Sequence, residues 1–184
     1  DVLVSIPNSA YGRTSTAIEK PLAIGSQIGT TWGLAYQRST NTVFAGALAK
    51  RHAGLGNLGA GGIYSIVIDP ITGNSTSVTP FVDISSLGIP VGTLGSNAAR
   101  GLPANPATPN TDPTTWDAVG KAAIGDIDIG SFDDTLWLIN LANRTLYRMV
   151  VGIPATAPAS AAGFPIALPV GATACPINDV RPWA

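Results

Sequence analysis

The amino-acid sequence predicts an all-β chain of short antiparallel strands, on three observations. Residues 123–151 hold three short apolar runs separated by two polar turns. Residues 124–129 alternate apolar and acidic side chains, 135–141 is an apolar run and 144–151 is another, with turn formers at 130–134 and at Ala142 and Asn143. Strands this short, joined by turns this short, form an antiparallel meander. Charged residues are 11% of the chain, against about 25% in an ordinary domain, and 21 Gly with 15 Pro favour turns over helices. The third observation is that the strand pattern occurs twice.

A chain of 184 residues that is 45% apolar can bury a sizeable core and is ordinarily one domain. Its net charge of -1 gives no electrostatic case for nucleic-acid binding or for a polybasic membrane contact. Gly, Pro or polar residues interrupt every apolar run before the ~18 residues that a membrane helix needs. Cys175 is the single cysteine, so no disulfide closes within the chain; it reads as a small buried apolar group, or as one half of a pairing outside this piece. The chain begins at Asp1 without Met or a signal peptide, as expected of a mature or excised segment.

Each element has its own justification. The first six residues alternate as a strand does, and residues 17–24 read as an outer strand that Pro21 confines to an edge. Residues 32–36 and 42–47 form a hairpin about the polar turn 37–41, and 62–68 is a third strand. In the following turn, Asp69-Pro70-Ile71-Thr72-Gly73-Asn74, proline pre-sets φ and glycine accepts a positive φ. Residues 75–84 supply a fourth strand, broken at Pro80. Periodicity then disappears from 85 to 121, where Pro103, Pro106, Pro109 and Pro113 predict an extended surface excursion. A second Pro/Ala-rich excursion covers 152–163, and 164–170 returns as an outer strand.

The repeat organises these elements. In each copy an inner strand, a polar turn and an aromatic-bearing strand precede a third strand carrying Tyr64 or Tyr147. Antiparallel four-stranded units of this kind are the blades of a β-propeller. One blade is expected at about 29–84, the long loop at 85–121, a second blade at about 122–170 and the start of another at 178–184, where Arg181-Pro182 and Trp183-Ala184 lie over Trp32-Gly33 and Leu34-Ala35. Residues 32–36, 43–45, 63–73, 127–129, 136–140 and 146–147 resemble the NHL/YVTN-like propellers. More narrowly, 32–56 with 61–69 is similar to large bacterial surface proteins in which an irregular propeller precedes SdrD B-like repeats. Two blades and a fragment cannot close a ring of about four to eight. The expectation is therefore a piece of a longer protein, or a subunit completed by assembly.

Few residues suggest chemistry. Gly54-Leu55-Gly56-Asn57-Leu58-Gly59 is a literal GxGxxG, but a β-branched strand follows where a dinucleotide site needs a helix N-terminus. It reads as a glycine-rich loop that could line a ligand site. His52, the only histidine, is flanked by Lys50 and Arg51, without a GxSxG elbow or enough His and Cys for zinc. Asp126, Asp128, Asp133 and Asp134 are the best acidic cluster, and the one set from which calcium could draw oxygens, although they do not fit an EF-hand. Asp133 and Asp134 are also ordinary turn residues, and Asp126 and Asp128 alternate with Ile127 and Ile129 as strand residues do. Trp32, Trp137 and Trp183 lie on expected strands and read as packing groups, whereas Trp116 sits in the long loop. Trp116 and His52 are thus the candidate ligand or partner contacts. Asn74-Ser75-Thr76 and Asn143-Arg144-Thr145 match glycosylation sequons.

What the resemblance implies is a non-enzymatic extracellular or cell-surface protein with a structural or adhesive role. Its partners would be other chains, the remaining blades, or surface glycans, and no cofactor is required. Two alternatives stay open: a lactonase-like propeller hydrolase with a channel-bound metal, and a self-assembling extracellular filament subunit.

Overall fold

The computed structural model describes residues 2–8, 19–105, 107–167 and 180–182; Cys175, Trp183 and most of the expected third-blade start lie outside them. The described chain is all-β, in three antiparallel sheets, none of which closes on itself. Sheet one is a meander of β3 (Thr31–Gln37), β4 (Thr42–Ala47), β5 (Gly62–Ile68) and β6 (Ser75–Asp83). Sheet two repeats the order with β7 (Ile124–Ile129), β8 (Thr135–Asn140), β9 (Thr145–Val150) and β10 (Ala162–Pro165). A small third sheet pairs β1 (Leu3–Ser5) with β2 (Lys20–Ala23). No described helix is long and apolar enough to cross a membrane.

The two large sheets correspond residue by residue. On β3 the register passes from Thr31 opposite Ala47 to Leu34 opposite Ala45, and on β7 from Ile124 opposite Asn140 to Ile127 opposite Leu138. Each inner strand thus carries one extra residue at the same point, a bulge that raises local twist. Carried outward, the pairing matches Phe44 to Trp137, Tyr64 to Tyr147 and Val82 to Phe164. Both tyrosine hydroxyls serve the loop before their own strand: Tyr64 Oη accepts from Leu58 N at 3.1 Å, and Tyr147 Oη from Asn143 Nδ2 at 2.8 Å.

Side-chain alternation gives each sheet two faces. One face of sheet one (Ala35, Phe44, Ile63, Val82) packs on one face of sheet two (Ile127, Leu136, Leu138, Met149) to form the main core. The inner strands β3 and β7 meet most closely. A Cβ on Gly33 would lie 2.5 Å from Ile127 N and 2.9 Å from Asp126 Cα, so only glycine permits this approach. Ile84 and Ile89, beyond β6, and Val151, beyond β9, fill the wedge where the sheets splay outward. At the turn end of the strands, buried Gln37 clips the sheets together, its Nε2 donating to Asp133 O at 2.5 Å and Gly152 O at 2.8 Å.

The opposite face of sheet one is covered along its outer half. There Leu3, Leu22, Ala23 and Ile28, from β1, β2 and the helical turn Gly25–Ile28, pack on Ala45, Tyr64 and Ile66. The β5–β6 turn is tied to the same layer, with Ser5 Oγ donating to Gly73 O at 3.0 Å and Lys20 Nζ to Thr72 O. The inner strand β3 lies beyond that cover: Trp32 is 56%, Leu34 46% and Tyr36 42% exposed. Trp32, expected to pack between blades, is therefore largely in solvent. The strand forms as its alternation dictates, but no described element covers that part of its face. The outermost strands each carry a proline: Pro21 in β2, Pro80 in β6 and Pro165 in β10. Pro80 does not break β6, which absorbs it by a register shift opposite Tyr64.

Candidate functional site

At one end of the strands the connection 48–61 meets the long excursion 84–123, and the two form a built structure rather than a loose surface. The expected surface excursion is only partly that, because Arg100, Asp112 and Thr115 are buried beneath it. Arg100 Nη2 donates to Asp112 Oδ2 at 2.6 Å, and Arg100 Nε to Asp112 Oδ1 at 3.2 Å and Thr115 Oγ1 at 2.9 Å. The same Nη2 reaches Lys50 O at 2.9 Å and Ala53 O at 3.0 Å, so one guanidinium holds both loops. A charge so buried is tolerable only when paired and hydrogen-bonded. Bonding to Arg100, aided by Thr115 and His52 N, holds the Asp112 carboxyl well below the usual range, overcoming the upward push of burial.

Arg100 and Asp112 thereby position both sequence candidates. His52, at φ 64, donates its backbone N–H to Asp112 Oδ2 at 2.9 Å, and its Nδ1 lies 2.8 Å from Asn110 Oδ1. The imidazole is thus oriented by an amide and not by a carboxylate, unlike the base of a Ser-His-Asp triad. Neighbouring Arg51 donates to Thr111 O at 2.8 Å and lays its guanidinium 3.8 Å from the centroid of the Trp116 ring. Trp116 is 68% exposed, so the indole is fixed from one side by a cation and open on the other.

The glycine-rich loop lies alongside. Asn97 imitates a strand neighbour, its Oδ1 accepting from Leu55 N and its Nδ2 donating to Leu55 O, each at 2.8 Å. On the other side Thr30 N donates to Gly54 O at 2.9 Å, and Gly29 bridges Leu55. A side chain at Gly56 would collide with the Tyr64 hydroxyl and with the Ile28 backbone. The glycines therefore serve close packing, and the loop runs through a single 3-10 turn, Gly59–Gly61, straight into β5. No helix follows to receive a phosphate. Instead an open cleft of about 1000 Å³ runs between His52, Gly54, Asn57, Asn97, Leu102 and Asn110. Its polar groups are neutral amides, hydroxyls and one imidazole, suited to hydroxyl-bearing, uncharged ligands.

The four aspartates stand apart from this cleft. Asp126 and Asp128 lie along β7, their carboxylates accepting from the next residue's N–H (Ile127 and Ile129) at 3.0 and 2.8 Å. Asp133, at φ 61 in the far turn, accepts from Ser39 N at 2.8 Å, and Asp134 Oδ1 from Thr135 Oγ1 at 2.8 Å. Among the described residues no three His, Cys, Asp or Glu side chains converge as a metal would require. Arg100, Asp112, Asn97 and Asn110 escape a reading of the sequence, because the partners that tie them across the loops lie 12 to 60 residues away. The one available signal is the presence of an isolated Arg and Asp in a segment otherwise poor in charge.

Comparison with protein families, with curated proteins and with solved structures finds no match to this chain.

Proposed function

We propose that this chain is part of an extracellular or cell-surface β-propeller protein with a structural or adhesive role. The observation that carries this reading is the correspondence of the two sheets: the same strand order, the same inner-strand bulge, and packing through their inner strands. Blades related by rotation about a channel share their strand order and pack on one another, and a shared bulge is in keeping with such a repeat. Such scaffolds hold recognition groups on their loops, and the loop end here is the elaborated one. An indole with one open face, stacked on the Arg51 that precedes His52 of an amide- and hydroxyl-lined cleft, fits the ring faces and hydroxyls of a glycan. Low charge and long Pro/Ala loops are in keeping with an exported protein.

Two measurements test the reading. The intact mass of the protein isolated from its source should lie well above 18.7 kDa if further blades complete a ring. Binding to an array of neutral oligosaccharides should be found and should fall about tenfold or more in Trp116→Ala, the order of loss for one stacked aromatic. A cytoplasmic location, or turnover of a small substrate, would overturn it.

A further inference from the structure

The internal junction between the sheets contains the rule for a second junction. Sheet one gives it the face of Ala35, Phe44, Ile63 and Val82, and sheet two gives the opposite face, with Ile127, Ile129, Leu136 and Leu138. By the register correspondence, Ile127 and Ile129 of sheet two match Leu34 and Tyr36 of sheet one. In sheet two these positions are covered by the partner sheet; in sheet one they are exposed. Conversely, Phe44 and Val82 are buried by the junction, whereas their matches Trp137 and Phe164 stand on the far face of sheet two, where Leu48 packs on Ile139 and Leu146 and Phe164 stays exposed. Trp137 and Phe164 already contact each other, with ring centroids 6.1 Å apart, and Phe164 is 47% exposed. Arg148 and Val150 border a hollow of about 400 Å³ on the same side. The molecule thus ends on one side in the receiving face of a junction and on the other in the entering face.

We propose that a second copy of this chain docks head to tail, the Leu34–Tyr36 row of one copy seating on the Trp137–Phe164 face of the next. The geometry is heterologous: two unlike patches meet, and each copy keeps one patch free for a further partner. The coverage of sheet one agrees with this. In the internal junction the inner strands meet directly while Ile84, Ile89 and Val151 fill the outer wedge. On the free side of sheet one β1 and β2 already occupy the outer wedge, and the part left open is the inner-strand row that an arriving sheet would contact. Two to four copies of a two-sheet chain would bring together the ~4–8 blades at which propellers close.

The inference rests on the blade-like reading of the sheets but not on the adhesive role. The experiment is sedimentation velocity on the 184-residue chain, on Leu34→Asp, on Phe164→Asp, and on an equimolar mixture of the two variants. The parent should associate with concentration. Each variant alone should be monomeric, with association weakened about a hundredfold by a charge in the apolar centre. The mixture should form a 1:1 dimer and stop, because each variant retains the patch that the other lacks. A parent that stays monomeric at hundreds of micromolar overturns the proposal, as does a variant that still self-associates alone, which would mean like patches pair with like. Far-ultraviolet circular dichroism checks that the variants fold; Tyr36→Asp and Trp137→Asp stand in for either that does not. Glycan binding by a monomeric parent would defeat this inference and leave the adhesive reading intact.

Discussion

Sheet one and sheet two carry the same strand order and bulge, yet they differ in how much of each is buried. Phe44, in sheet one, is wholly buried between the two sheets, while its counterpart Trp137 is partly exposed on the outer face of sheet two. Tyr64 is fully buried and its hydroxyl ionises above the usual range, chiefly because burial penalises the phenolate. Tyr147, at the matching position, keeps partial contact with solvent. Local pattern therefore sets a strand's register, and position in the stack of layers sets what each side chain is worth.

The sharpest way to break that comparison is to truncate the matched pair. Phe44→Ala should cost about 3–5 kcal/mol, the range for a buried Phe. Trp137→Ala should cost about 1 kcal/mol or less in the monomer, as a substitution outside a closed core. Urea denaturation of the two variants reads the difference directly, and equal losses would mean the outer face of sheet two is closed.

Next in size is the buried pair beneath the long loop, which exists at the end of sheet one but has no counterpart at sheet two among the described residues. Asp112→Ala leaves the buried Arg100 without its counter-charge, and should cost about 3 kcal/mol or more. The pH dependence has a definite sign. Because the folded carboxyl is held below its unfolded value of about 3.9, the stability it confers is complete above that pH. It drains away as pH falls from about 4 toward the lower folded value. The parent should thus lose stability on acidification over this window, and Asp112→Asn should lose part of that dependence; identical slopes in the two proteins would contradict the pairing.

Gly33→Ala probes the point where the layers come closest. Its methyl group meets backbone and not a yielding side chain, so the inner strands must separate at a cost of about 1–3 kcal/mol. The smallest effect is expected from the tyrosines. Tyr64→Phe leaves the half-buried Leu58 N–H without its acceptor, at about 1–2 kcal/mol, whereas Tyr147→Phe should change stability by no more than about 0.5 kcal/mol. A calorimetric comparison of the two would show whether equivalent hydroxyls are equally costly to remove.

Strand positions were legible because they obey local rules. Residues 42–47 and 62–68 form strands just where alternation and β-branching put them, and 124–129 likewise. The first returning strand of sheet two is Ala162–Pro165, earlier than the apolar run at 164–170 suggests, because pairing with residues 145–148 of β9 decides it. Trp32 shows the limit of pattern: an aromatic on a strand says that it can pack, not how deeply the fold buries it. The cleft was barely legible. His52 and Trp116 could be singled out as unusual residues, but the Arg100–Asp112 pair that aligns their loops is a long-range polar contact, and no periodicity encodes one.

The prolines of β2, β6 and β10 have a consequence for crowded or partly unfolded conditions. A free sheet edge is a template for fibril growth, since its row of unpaired amides invites a foreign strand. A proline on the outermost strand deletes an amide from that row and interrupts the template. Three of the six sheet edges among the described strands are interrupted in that way. Replacing Pro80 and Pro165 with valine would restore an unbroken edge and should speed thioflavin-positive aggregation on mild heating, leaving the native chain free to associate through its faces alone.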